Sequence, residues 1–135
     1  MTPEETGNVV EKFLEAFKIG DLQAITDFYA PDYVNNTPFP GAPATYEGHA
    51  AFFKAAAPFL EFLSSETVDV VVGADSAAIL SKGRYKVRES GEEFEAFGFA
   101  VVKFKDGKIV ENWGGYDPVA TFKMFEAGVK METSA

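Results

Sequence analysis

The stretch "GKIVENWGGYDPVATF", residues 107–122, carries a strand, a lone tryptophan, paired glycines and the start of a helix. Asp117 before Pro118 suits an N-cap followed by the first helical position, where proline's missing N–H costs nothing. Upstream, Asp106-Gly107 reads as a two-residue hairpin turn, which pairs Lys105 with Lys108 and Phe104 with Ile109. A regular ladder then sets Val102 opposite Glu111, Ala100 opposite Trp113 and Gly98 opposite Gly115. A one-residue slip would oppose Phe104 to Lys108 and mix charge with apolar groups on both faces.

This register predicts two different faces. One carries Phe104, Val102, Ala100, Gly98, Ile109, Trp113 and Gly115 with Glu111 among them, small residues hollowed around one large ring. The other carries Val101, Phe99, Phe97, Val110, Tyr116 and Asn112 with Lys103, and is also apolar. A half-solvated antiparallel sheet should not be apolar on both sides. Burial against a second copy answers this, so a homodimer through the sheet is expected; the last helix or the tail is the other possible cover.

The rest of the chain reads outward from that hairpin. Thr2, Pro3 and Glu5 form a capping box, and Val10, Phe13, Leu14 and Phe17 then fall on one helical face. After Gly20, a short helix runs through Leu22, Ile25, Phe28 and Tyr29. "DYVNNT" is a short strand, and "PFPGAPAT" is a loop. "YEGHAAFFKAAAPFLEFL" predicts a third helix, bent or broken at Pro58. Four strand-like runs follow, "ETVDVVVG", "AAILSKGRYKVRE", "EFEAFGFAVVKF" and "KIVENWGGY", then a helix from Pro118 to about Gly128. Helices, an antiparallel meander and a last helix make an α+β single domain over 1–128, with a frayed tail at 129–135.

Composition narrows the function. A chain of 135 residues with 47% hydrophobic residues buries a substantial core. Fourteen phenylalanines suit a heavy core, an aromatic-lined cavity or an apolar interface. A net charge of −9 with no basic stripe argues against nucleic-acid binding. With no cysteine and one histidine, thiolate chemistry and Cys- or His-rich metal sites are excluded, and no cofactor or metal is expected. An acidic N-terminus and the lack of a long apolar run argue against membrane insertion, and a cytoplasmic location is expected.

Three segments, "VEKFLEAFKIGDLQAITDFYAPDYV", "EGHAAFFKAA" and "FAVVKFKDGKIVENWGGYDPVATFKMF", are together similar to the SnoaL-like branch of the nuclear-transport-factor-2-like superfamily. The resemblance covers nearly the whole chain and implies a cone-shaped barrel, a curved antiparallel sheet wrapped by three to four helices. It implies function only loosely, because that scaffold hosts cyclases, isomerases, dehydratases, epoxide hydrolases and non-enzymatic modules. SnoaL-like cyclases use an acidic residue near the end of the last strand as base for an aldol closure, and Asp117 is the nearest equivalent. Where relatives often carry a histidine, this chain has Asn35 and Asn36. Epoxide-hydrolase-like relatives need an aspartate two residues after the tryptophan and an Arg-x-Asp pair. Here those positions hold Gly115 and Arg84-Tyr85-Lys86, so that chemistry is not supported.

The candidate catalytic residues are Asp117, Glu111 and Asn36. Asp117 is either a cap, and then a weak base, or a cap that also faces the cavity. In the regular register Glu111 shares a poorly solvated face with Trp113, which would suit a general acid or base; a bulge would instead let it reach water. Adjacent strand residues point oppositely, so one of Asn35 and Asn36 faces inward; the resemblance favours Asn36 as an oxyanion donor, while turn chemistry would explain both. Trp113, Tyr33, Phe17, Phe28, Ala100 and Tyr116 are the expected ligand lining. Tyr46 and Tyr85 also offer phenols, and His49, at a helix start, is read as exposed. The function implied is a cofactor-free cyclase or isomerase acting on a small hydrophobic carbonyl compound. The alternative is a non-catalytic binder of small apolar ligands or a dimerisation module.

Overall fold

The computed structural model describes residues 1–19 and 21–130, without the side chain of residue 22. Four helices and five strands follow in order: α1 (Pro3–Ile19), α2 (Leu22–Asp27), β1 (Tyr29–Asn35), α3 (Glu47–Ala56), β2 (Leu60–Val72), β3 (Ser76–Val87), β4 (Glu93–Lys105), β5 (Lys108–Tyr116) and α4 (Pro118–Ala127). The sheet order is β1-β5-β4-β3-β2. Only β1 lies parallel to its neighbour, β5; every other pairing is antiparallel. The result is an open, curved α+β sheet with helices on its concave side, a cone whose edge strands β1 and β2 do not meet.

Local chemistry explains both ends of the chain. The capping box is present: Glu5 N–H donates to Thr2 Oγ1 at 3.1 Å, and Thr2 N–H donates to Glu5 Oε1 at 3.1 Å. At the other end Gly128 takes a left-handed φ of 110° after α4, the conformation glycine adopts most cheaply. Val129, the first residue of the expected frayed tail, is instead buried and donates to Met124 O at 3.0 Å. Residues 131–135 lie outside the described residues.

Three expectations are corrected. The second helix stops at Asp27, and β1 takes Tyr29 to Asn35, running through Pro31 beside β5. The third helix ends at Ala56, and "LEFL" opens β2, pairing Leu60 with Val87. Proline cannot continue a helix interior, and the long β3 offers unpaired backbone beyond it. Most consequential is the last hairpin. Phe104 faces Ile109 and Lys105 faces Lys108 as expected, but the ladder then skips Val110, and Lys103 pairs with Glu111. This bulge inverts the rest of β5. Asn112, Gly114 and Tyr116 turn to the concave face with Val102, Ala100 and Gly98, while Glu111 and Trp113 turn outward beside Lys103 and Val101.

Two buried clusters fill the concave side. One joins α1, α2 and β1 to the sheet through Val10, Phe13, Ile25, Tyr33, Val102 and Ile109; the other joins α4 and the end of α3 through Ala56, Leu60, Phe94, Ala120 and Met124. Of the phenylalanines, Phe13, Phe94 and Phe104 are buried, while Phe97 and Phe99 are 41% and 50% exposed on the convex face. The phenylalanine excess therefore serves surfaces as much as core.

Candidate functional site: a histidine among tyrosines

Between the first cluster and α3, four polar side chains converge from three elements. β1 supplies Tyr33 and Asn35, α3 supplies His49, and the bulged β5 supplies Asn112. The Tyr33 hydroxyl lies 3.1 Å from His49 Nε2. Asn112 Nδ2 donates to Asn35 Oδ1 at 3.2 Å.

The backbone that presents these groups is tightly constrained. Beyond Asn35, the Thr37 hydroxyl takes over from the β1–β5 ladder: it accepts from Gly114 N–H at 2.6 Å and donates to Gly114 O at 2.7 Å. Gly114 is required there, since a Cβ would stand 1.9 Å from the Phe99 carbonyl oxygen. At the start of α3, a Cβ on Gly48 would stand 2.1 Å from the Pro43 carbonyl oxygen. The loop thus seats directly on the helix end that carries His49.

The surroundings are aromatic and uncharged. His49 packs against Tyr29, Tyr33 and Tyr46, each with ring centroids 5.6 Å away. Burial lowers the His49 pKa below its ordinary 6.5, so the ring is neutral at neutral pH. Burial also pushes the Tyr29 and Tyr33 phenols well up, so both keep their protons. A neutral imidazole hydrogen-bonded to a phenol is a proton-transfer pair. Among the described residues, no group of three or more His, Cys, Asp and Glu side chains is placed to hold a metal ion.

The expected site residues are scattered. Asp117 caps α4: Oδ1 accepts from Ala120 N–H at 2.9 Å, and Oδ2 accepts from Phe97 N–H at 2.8 Å. Glu111 and Trp113 lie on the convex face, with Lys103 Nζ 5.4 Å from the tryptophan ring centre. The bulge removes the shared face of Glu111 and Ala100 on which the acid–base reading of Glu111 rested. Asn36 is exposed and donates to Asn112 O at 3.4 Å; Asn35 is the one whose amide meets the cluster. Tyr33 is in the site, 2% exposed. Ala100 faces the concave side beside the first cluster. Phe28 packs edge-on to Phe13 in that cluster's flank, whereas Phe17 is 46% exposed. Tyr116 packs against the second cluster, 5.7 Å from the Phe52 ring.

The sequence places His49 at an exposed helix start and does not single out Asn112 as a site residue. Tyr46 and His49 are three apart and so share a helix side, a usable signal. The inward turn of Asn112 depends on the bulge. Two surface concavities lie elsewhere. One of about 700 Å³ is bordered by Met1, Asp75, Lys103 and Asp106, and one of about 270 Å³ by Ser64, Glu66, Lys82 and Arg84.

A curved open sheet, helices on its concave side and polar groups in the cone between them define an NTF2-like α+β protein. The SnoaL-like domain model matches residues 10–112, and the chain belongs to that family. Solved structures agree. IdmH, a candidate polyketide cyclase from Streptomyces antibioticus, is 24% identical, with 90% of this chain and 98% of that chain covered and a TM-score of 0.70. TsrD from Streptomyces laurentii is 22% identical, covering 96% and 99%, with a TM-score of 0.71. AclR from Streptomyces galilaeus, a candidate hydroxylase, is 17% identical, covering 93% and 98%, with a TM-score of 0.71. No curated protein matches the chain. Among the described residues, no helix is long and apolar enough to cross a membrane.

Proposed function

We propose that this chain is a cofactor-free acid–base catalyst, of cyclase or isomerase type, acting on small apolar carbonyl compounds at His49 and Tyr33. The carrying observation is the neutral imidazole held 3.1 Å from a buried phenol inside a tyrosine cage. Enolisation needs a proton moved between carbon, oxygen and a poised group, and imidazole is the side chain best matched to that work near neutral pH. The concave face favours an uncharged ligand: its strand positions between the clusters hold Ser81, Gly98, Ala100, Asn112 and Gly114. Family membership and the polyketide-cyclase description of IdmH fit the same substrate class. The test is exchange of α-hydrogens of an aromatic ketone into D2O, followed by NMR with and without protein. Ligand binding without exchange would favour the non-catalytic binder.

The assembly proposed with this function is a homodimer through the convex face. Val71, Ala78, Leu80, Phe99, Val101 and Trp113 form an apolar band by cross-strand register, with Asp69 opposite Leu80 at its edge. At one end Lys82 and Arg84 pair with Glu66, Glu93 and Glu95, so acidic and basic groups alternate there despite the chain's negative charge. Strands about 4.8 Å apart, three of them roughly 40 Å long and β5 roughly 30 Å, offer a footprint on the order of 700 Å², close to the area each partner gives a standard interface.

A further inference from the structure

The concave face carries another pair of phenols, beside the second buried cluster rather than the first. By register Tyr85 on β3 lies opposite Phe94, and Tyr116 on β5 lies opposite Gly98. Tyr85 does not stand upright on the sheet. A Cβ on Gly83 would lie 3.0 Å from its Cε2 and 3.4 Å from its hydroxyl oxygen. The ring therefore leans along the strand over Gly83 and carries its hydroxyl towards Ser81 and the middle of the concave face. Phe94 stacks on it with ring centres 5.7 Å apart, and Phe62 meets it edge-on at 5.7 Å. Burial raises both phenols above the ordinary 10, and the neighbouring Tyr85 adds to the rise at Tyr116, so each keeps its proton and can donate it to an acceptor.

Both hydroxyls are open to a ligand. Among the described residues neither is held by a hydrogen bond, and no buried side-chain oxygen or nitrogen is left without one, so these two oxygens reach solvent. The concave face is uncovered towards the edge strand β2. There Phe62, Ser65 and Thr67 lie opposite Tyr85, Gly83 and Ser81, and all three are exposed, Phe62 by 58%. Further in, Ser81, Gly98 and Ala100 are only half-buried although they sit on inner strands. The side chains packed around the phenols, Phe39, Phe52, Phe94 and Val87 among them, carry no charge. Two proton-bearing donors in such surroundings suit a neutral carbonyl oxygen.

We propose that Tyr85 and Tyr116 form a second hydrogen-bonding end of the ligand site, donating to a carbonyl oxygen of a flat, elongated ligand whose other carbonyl meets His49 and Tyr33. This rests on the proposed role of His49 and adds the far end of the ligand to it. Asn112 and Tyr116 both face the concave side four residues apart on β5, roughly 13 Å, so a ligand that meets both ends is long. The small side chains of Ser81, Gly98 and Ala100 leave room for a ring system between them.

Calorimetric titration with two ketones tests this: naphthalene acetylated at one end, and naphthalene acetylated at both ends. The second acetyl group is expected to tighten binding to the wild-type chain about tenfold, beyond the roughly twofold that symmetry alone gives. Tyr85→Phe and Tyr116→Phe should each remove most of that gain and leave the affinity for the singly acetylated compound unchanged, which also reports that the variants are folded. A wild-type gain no greater than symmetry gives overturns the inference, as does a gain that survives both substitutions, or a failure of both compounds to bind. Exchange of the singly acetylated ketone with no gain from the second acetyl group would leave the proposed activity standing and remove this second end. A tyrosine-dependent gain without exchange would do the reverse.

Discussion

The hydroxyl of Tyr33 and Nε2 of His49 lie 3.1 Å apart, joining the strand β1 to the helix α3 across an otherwise aromatic contact. This one bond makes a buried phenol and a neutral imidazole a single chemical unit. His49→Gln is expected to lower ketone α-exchange by about 10²–10⁴-fold, the usual span for a positioned acid–base group. Tyr33→Phe is expected to lower it less, with ligand affinity nearly unchanged in both. Initial exchange rates and ligand titrations, run side by side, check the split.

Acid should loosen this protein through the same histidine. Burial lowers the His49 pKa in the fold, so below pH 6.5 the unfolded chain binds a proton that the folded chain resists. Its contribution to stability is complete above 6.5 and is lost as the pH falls from there through the folded value. Urea denaturation at a series of pH values should show this decline, and His49→Gln should flatten it in that window.

Asp117 should matter to stability and little to chemistry. Its two carboxylate oxygens serve the N-terminus of α4 and the backbone of Phe97. Asp117→Ala is expected to cost about 1–2 kcal/mol through the lost cap alone, and more where Phe97 N–H is left without its partner. Asp117→Asn keeps a capping oxygen and should retain ketone exchange close to the wild-type rate. A large activity loss in a stable Asn variant would restore Asp117 as a catalytic carboxylate.

Phe99, half exposed at the middle of the convex apolar band, is the direct probe of assembly. Sedimentation of the wild-type chain should report a dimer, and Phe99→Glu, placing two like charges at the centre of the contact, should yield monomers that remain folded. A monomeric wild-type chain would remove the dimer.

Much of the fold was legible because its signals are local. The capping box at Thr2, the Asp106-Gly107 turn and the Asp117-Pro118 helix start each depend on a few adjacent residues, and each is where the sequence placed it. The site was less legible because it depends on one extra residue. Val110 gives no local sign that it leaves the ladder, yet its bulge exchanges Glu111 and Trp113 for Asn112 and Tyr116 on the concave face. The choice between Asn35 and Asn36 likewise rests on a parallel partner strand about 75 residues away, a separation that local pattern reading does not see. His49 was misread as exposed because its burial comes from tyrosines on another element.

The most direct measurement of the central claim is the initial rate of acetophenone α-hydrogen exchange in D2O, compared between the wild-type chain and His49→Gln at equal concentration of folded protein. The account predicts acceleration over buffer by the wild-type chain and its near-complete loss in the variant. Equal rates in the two proteins, or a wild-type rate no faster than buffer, would contradict it.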